Sequence, residues 1–465
     1  MPSMRAIWFI EADGDAGIRC RSQAPIGVDS IGAPSKALSP TLLWFVTALL
    51  LAVTAPGAAV AGHAERDLPG KLLIGYWHNW AGWPVTLRLT EIPASYDVVV
   101  VAFATPTVPA GATMRFAPDP GIYPTGGEFV ADVQALQAQG KKVLISIGGG
   151  ADPITVDDPT DAASFVTSMS GILDQYGFDG VDVDLEGGSL ALDPGDDDFR
   201  SPTSPRIVYF IEALSTLMAL YPGHLLSAAP ETAQVQGGYQ AYSGIWGAYL
   251  PVIHALRERW SFIHVQHYNT GSMFGRDGNI YEPATADFHA AMAEMLLAGF
   301  TVDVWDRAIP FPPLRQDQVA IGLPAGPQAG GGYTPPDLVH QALDYLIRGI
   351  PFGGRYELAN PDGYPAFRGL MTWSINWDSY YGYEFSRSHR TYLDGLTISV
   401  PEEDDPDASS ELAELRAFPN PARRDIAVRY RLRGDAEVEC ELLDLRGRSV
   451  RGRICQSRSA GEHVI

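Results

Sequence analysis

From Lys71 to about Asn376 one pattern recurs: a short apolar run, then a stretch in which apolar residues return every three or four positions. The runs predict strands at Leu72 to Trp77, Asp97 to Ala104, Lys142 to Ile147, Phe178 to Glu186, Leu225 to Pro230, Phe262 to Asn269, Val319 to Pro324 and Gly369 to Asn376. The periodic stretches predict helices near Glu128 to Ala138, Ala162 to Gln175, Pro205 to Leu220, Ile245 to Arg259, Ala284 to Ala298 and Pro336 to Arg348. Strand then helix, repeated, reads as an α/β fold with a parallel sheet and crossover helices, and eight strands at this spacing fit a (β/α)8 TIM barrel. A doubly wound open sheet would need a glycine-rich phosphate loop after its first strand. Gly75 to Trp80 is aromatic instead.

One strand departs from the apolar rule. In Phe178 to Glu186 acids and apolar residues alternate, so Asp182, Asp184 and Glu186 share one face and Val181, Val183 and Leu185 the other. Like charges on a partly buried face repel, and at least one such group must hold a proton. A calcium loop is the plain alternative, with Asp182, Asp184, Glu186, Gly187 and Asp193 as candidate ligands and turn glycine. It fits poorly, because valines separate the acids, the last ligand is not a bidentate Glu, and Gly177 breaks any preceding helix. A barrel places its chemistry at the C-terminal ends of strands, where this chain carries Tyr76, Trp77, Phe103, Gly148, Gly149, Glu186, Glu231, Gln266, Tyr268, Asn269 and Trp373.

Composition narrows the partners. A formal net charge of −22 argues against nucleic acid and is compatible with a neutral polysaccharide. The cysteines are Cys20, Cys440 and Cys455, so the middle of the chain has no disulfide framework, and spacing alone does not say whether Cys440 and Cys455 pair. Histidine spacing shows no metal motif, and neither a metal nor a cofactor is expected. Lys36, the apolar run from Leu42 to Val53 and Ala59-Val60-Ala61 predict a signal peptide over 36–61, too short for a span of roughly 20 residues. Residues 1–35, with Glu11, Asp13 and Asp15, are expected to be a disordered extension or to precede the true start. The barrel is assigned 66–399. An acidic, Pro- and Ser-containing linker follows over 400–414, and then strand-like alternation to the end, 415–465, where the chain stops mid-strand as a partial all-β sandwich.

The pattern Asp-Gly-x-Asp-x-Asp-x-Glu at 179–186 resembles the active-site strand of family 18 glycoside hydrolases, the chitinases and their relatives. Ser146-Ile147-Gly148-Gly149 resembles their strand-three element, Gln266-x-Tyr268-Asn269 their strand-six element, and Leu370 to Asn376 their strand-eight segment. Asn269 departs from the Asp of many chitinases, and Ala229 to Gly238 looks most like bacterial single-barrel forms. The resemblance implies Glu186 as general acid, the substrate's N-acetyl carbonyl as nucleophile, and Asp184 binding the acetamido N–H while sharing a proton with Asp182. It further implies that Tyr268 holds the acetamido oxygen and that Trp373 floors the distorted sugar. Tyr76, Trp77, Phe103, Gly148, Gly149, Gln266 and Asn269 are expected to line the substrate site; Trp80, Trp83, Trp246 and Trp377 are open between sugar platform and core.

The 45 or so residues between strands seven and eight leave no room for a cleft-walling α+β insertion, which implies an open groove. The tail, opening Phe418-Pro419-Asn420-Pro421, resembles the small immunoglobulin-like C-terminal domains of secreted bacterial proteins, some of which are sorting signals. The expectation is a monomeric, extracellular, endo-acting chitinase for chitin or chitooligosaccharides, with the tail as a possible handle for cell-surface or secretion machinery. An endo-β-N-acetylglucosaminidase and a non-catalytic chitin-binding lectin are the alternatives; lectins of that kind lose the acid, and Glu186 is present.

Overall fold

The structure is a computed structural model that describes residues 68–396, apart from 152 and 306, and the backbone of seven further strands. The leader, the linker and the side chains of Cys440 and Cys455 lie outside the described residues. The chain divides into two compact units, 1–53 with 399–465, and 54–398. In the first, the backbone of Ile10–Asp13 pairs antiparallel with Gly17–Cys20, which runs parallel to Ala436–Leu443; that strand pairs with Ser449–Arg458. Leu412–Phe418, Ala427–Leu432 and Gly461–Val464 form a second, antiparallel sheet.

The second unit is the expected barrel. Its strands are β1 (Leu72–His78), β2 (Val98–Pro106), β3 (Lys142–Gly148), β4 (Gly180–Asp184), β5 (Leu225–Ala228), β6 (Phe262–Gln266), β7 (Val319–Pro324) and β8 (Gly369–Trp373). Each pairs in parallel with its neighbours, and β8 returns to β1, which closes the ring. Side-chain alternation sorts the apolar residues into two layers. Leu72, Ile74, Tyr76, Val98, Val100, Leu144, Phe262 and Met371 fill the barrel interior. Leu73, Trp77, Val99, Val101, Val181, Val183, Ile263 and Val265 pack outward against the helices.

The helices that cover the strands are α1 (Gly127–Ala138), α2 (Pro159–Tyr176), α3 (Pro205–Leu220), α4 (Leu250–Ala255), α5 (Ala286–Ala298), α6 (Pro336–Arg348), α7 (Ile375–Tyr380) and α8 (Glu384–Gly395). Local chemistry sets their ends: Asp158 caps α2 by accepting the N–H groups of Thr160 and Asp161 at 2.7 and 2.9 Å, with Pro159 at the first position.

Three expectations need correction. The helix expected over Ile245 to Arg259 is only α4, because the chain turns at Ser243 and Trp246 and then passes through Gly247 at φ +75. The eighth strand stops at Trp373, since Ser374 accepts the Trp377 N–H (3.4 Å) and opens α7. Helix α8 lies outside the six expected helices, although Phe385, His389 and Leu393 recur at i, i+4 and i+8 along its buried face. An antiparallel hairpin, Phe300–Val304 with Arg307–Phe311, also precedes β7.

Candidate active site

Strand β4 carries its acids into the barrel. Asp182 is fully buried: Tyr76 Oη donates to its Oδ2, as does Ser146 Oγ (2.7 Å), and Ser227 Oγ donates to Oδ1 (2.6 Å). His264 Nε2 stands 3.2 Å from that same Oδ1. Burial would raise the pKa of this carboxyl, but His264, Ser227 and Tyr76 together hold it below the ordinary value. Asp184, two residues on and 3% exposed, is pushed the other way. Burial raises its pKa well above the usual carboxylate range, with the charges of Glu186 and Asp182 adding to the effect and the Gln266 hydrogen bond opposing it. Of the pair expected to share a proton, burial and charge favour the protonated form at Asp184 and the anionic form at Asp182.

Past Asp184 the chain leaves the sheet. The Leu185 N–H donates to Tyr249 Oη (2.7 Å) and the Gly149 N–H to the Asp184 carbonyl (2.8 Å), which turns Glu186 out to the rim, partly exposed. Glu186 lies just beyond the strand it was expected to end. Burial raises its pKa, Gln266 counteracts, and Glu231 raises it further. Gln266 Nε2 lies 3.0 Å from both Asp184 Oδ1 and Glu186 Oε1, and 3.0 Å from the Ala229 carbonyl.

The glycines at the end of β3 exist for close approach. A Cβ on Gly148, at φ +104, would lie 2.2 Å from the Asp184 carbonyl oxygen, and one on Gly149 would lie 2.9 Å from the Phe103 ring. Only bare backbone allows β3 and β4 to meet at this point.

Asp184, Glu186 and Gln266 line a cleft of ≈ 490 Å³ together with Phe103, Gly148, Gly149, Tyr268, Asn269 and Trp373, with Asp182 buried beneath it. Trp373 forms an apolar floor, stacked on Phe103 (centroids 5.9 Å) and edge-on to Tyr76 (5.6 Å). Cis peptide bonds precede Phe103 and follow Trp373. Tyr268 is 6% exposed, and burial with the charges of Asp184 and Glu186 raises its pKa well above the usual phenol range, so it remains a donor. Asn269 takes a left-handed backbone (φ +51) and clamps the next loop, its N–H donating to the Gly331 carbonyl and its Oδ1 accepting the Gly331 N–H, each 2.7 Å.

Two expected lining residues lie elsewhere. Tyr76 is buried beneath the floor as a donor to Asp182. Trp77 is fully buried on the opposite face of β1, where its Nε1 donates to the Leu87 carbonyl (3.1 Å) and its ring packs on Tyr123 and Phe129. Consecutive strand residues face opposite sides, so the two could never share the cleft. Trp80, left open by the sequence, does line it, stacked on His78 at 4.1 Å. Trp377 is 8% exposed and belongs to the core, whereas Trp83 is 62% exposed. The signal for Trp80 was its place three residues past Trp77, in the loop at the strand's C-terminal end. His264, Tyr249 and the bridging of two acids by Gln266 had no sequence signal.

Among the described residues no group of three His, Cys, Asp or Glu side chains is arranged to hold a metal ion, the calcium-loop alternative included.

Residues 72–323 match the family described as glycosyl hydrolases family 18. The chain is 50% identical over 335 residues to "Chitinase Chi52" of Paenibacillus xylanexedens and 51% identical over 336 residues to "Chitinase D" of Niallia circulans. Each match covers 72% of this chain and 63% of the relative, so the chain spans less than two thirds of those proteins. A solved structure of a family GH18 chitinase from Chromobacterium violaceum superposes with a TM-score of 0.64 at 38% identity, covering 72% of this chain and 87% of that one. Barrel, acid-bearing fourth strand and sequence matches converge: the chain belongs to family 18 of the glycosyl hydrolases.

Proposed function

We propose that the protein is a secreted, endo-acting chitinase that cleaves β-1,4-linked N-acetylglucosamine chains with retention, using the substrate's acetamido group as nucleophile. The observation that carries this reading is the division of labour between two neighbouring carboxyls. Glu186 sits at the rim with a raised pKa, as a general acid needs, while Asp184 is buried and its pKa is pushed up by burial and by the charges of Glu186 and Asp182. A buried carboxyl pushed toward its protonated form is a poor nucleophile, which supports attack at C1 by the acetamido carbonyl.

In this scheme Glu186 gives its proton to the glycosidic oxygen as the C1–O bond breaks. The acetamido oxygen bonds to C1 and forms an oxazolinium ion. The carboxyl oxygen of Asp184 accepts the acetamido N–H, the negative charge of Asp182 behind it stabilises the cation, and Tyr268 Oη holds the acetamido oxygen in line. Glu186, now a carboxylate, takes a proton from water as that water opens the ring at C1. Trp373 offers its face to the distorted sugar, and anionic Asp182 supports Asp184 from below.

The names of the similar chitinases support the substrate class. The apolar run at 42–53 with Ala59-Val60-Ala61 supports export, to the medium or the cell surface. The pairing of Leu412–Phe418, Ala427–Leu432 and Gly461–Val464, and of Ala436–Leu443 with Ser449–Arg458, supports reading the tail as an immunoglobulin-like module that addresses secretion or cell-surface machinery. N-terminal sequencing of protein recovered from the medium tests export.

The reaction is tested by assaying chitin oligomers beside a high-mannose glycoprotein, with NMR of fresh product. Cleavage of the oligomers with initial β-anomer is expected. An initial α-anomer would discard the substrate-assisted scheme, and cleavage of the glycoprotein alone would replace chitin with N-glycans as substrate.

A further inference from the structure

The loop that carries Glu186 is tied to the end of β5 by a side chain that the scheme above leaves without a role. Glu231 Oε2 accepts the Gly187 N–H at 2.7 Å. Gln234, three residues further on, donates Nε2 to the Gly187 carbonyl at 3.3 Å and accepts the Glu231 N–H at 3.3 Å. Both polar backbone groups of the residue just after the acid are thus gripped by Glu231 and the turn it caps, Thr232–Val235, whose position is fixed by the backbone bridge between Glu231 and Gln266. Gly187 itself, at φ +55 with no atoms near its missing Cβ, has no side chain with which to fix its own place.

A neutral amide at 231 would accept the same N–H. A carboxylate does more, because it sets a second negative charge beside Glu186 and Asp184, and its charge raises the pKa of both. The other titratable groups coupled to Glu186 among the described residues are Asp184 of β4, Tyr249, and Tyr268 just past β6. Arg206 of α3 reaches the loop at the Gly188 carbonyl (2.8 Å) and is paired with Asp157. Glu231 is therefore the acidic side chain that both holds the loop and faces the acid from outside β4.

We propose that Glu231 is a positioning residue for the acid: its carboxylate anchors the Gly187 amide, and its charge keeps the proton on Glu186 until the glycosidic oxygen takes it. This rests on the hydrolase reading. The proton-donating form of Glu186 is lost as pH rises through its pKa, so removing a neighbouring negative charge moves the alkaline limb of activity to lower pH.

The test is kcat/KM against pH on a chitooligosaccharide for the full chain and for Glu231→Gln and Glu231→Ala, with melting curves to confirm folding. Glu231→Gln keeps an acceptor for Gly187 and is expected to move the alkaline limb down by about half a unit to one unit. Glu231→Ala is expected to show that shift and, having lost the anchor, a further fall in kcat of roughly tenfold. An alkaline limb unmoved in both folded variants overturns the proposal. A shift in Glu231→Ala alone overturns the role of the charge. A wild-type chain that hydrolyses no oligomer sinks the hydrolase reading itself, and this proposal with it.

Discussion

The side-chain amide of Gln266 donates to Asp184 Oδ1 across 3.0 Å, and the same nitrogen stands 3.0 Å from Glu186 Oε1 and the Ala229 carbonyl. An amide carries two hydrogens, so three acceptors compete for two. If Asp184 turns toward an acetamido group, Gln266 still has two partners and no donor is left buried and unmatched.

Gln266→Met, similar in length but without donors, should lower kcat by roughly 10- to 100-fold, the worth of a hydrogen bond to a charged group. The bond lowers the pKa of Glu186, so its loss should also move the alkaline limb to higher pH, opposite to Glu231→Gln. A pH profile of kcat/KM checks this; an unmoved limb would remove Gln266 from the proton chemistry.

Two tryptophans should separate stability from binding. Trp77→Ala opens a cavity in the layer between barrel and helices and should cost about 3–5 kcal/mol, read by denaturant melting. Trp373→Ala removes the cleft floor and should act mainly on turnover and KM. A Trp77 variant of normal stability but raised KM would return that residue to the cleft.

Gly148→Ala should be severe for its size. The new methyl would press on the Asp184 carbonyl at a backbone angle that alanine avoids, and overpacking of this kind costs about 1–3 kcal/mol. Displacing that carbonyl should also displace the Asp184 side chain, so residual activity per folded molecule is expected to fall. Crystallography or melting with active-site titration tells the two effects apart.

Buried histidines set part of the acid response. His289 Nδ1 faces His267 Nδ1 at 3.2 Å and its Nε2 faces Thr334 Oγ1 at 2.8 Å, and burial lowers the His289 pKa from 6.5 to about 3. Two ring nitrogens can share a hydrogen bond only if one of them keeps a lone pair, which favours neutral rings. With its folded pKa depressed, this histidine contributes stability that is fully present above pH 6.5 and lost as pH falls toward 3. The raised carboxyls Asp184 and Glu186 act in the opposite sense as they gain protons, so the difference between variants is the informative quantity. His289→Gln should show a shallower fall of Tm between pH 6.5 and 3 than the wild type. An equal or steeper fall would show that His289 takes up a proton while folded.

Sequence by itself determined the barrel and the identity of its acids, since both rest on local periodicity. Apolar runs of strand length, set between helical spacing, predicted all eight strands within a few residues of their bounds. Period two alone placed Asp182, Asp184 and Glu186 on one face. The same rule, applied to the adjacent Tyr76 and Trp77, puts them on opposite faces of β1, so Trp77 and the cleft are separable by local pattern alone. Tertiary structure decided what each acid is for. Asp182 is held anionic by Tyr76, Ser146, Ser227 and His264, which come from β1, β3, β5 and β6, while Asp184, on the same strand, is pushed toward its protonated form by burial and by the charges of Glu186 and Asp182, against the hydrogen bond from Gln266. Burial and charge are properties of three-dimensional neighbours, and those neighbours lie between 36 and 106 positions away along the chain for every hydrogen bond that fixes the pair. No local pattern carries that information, because barrel closure is what brings the strands together.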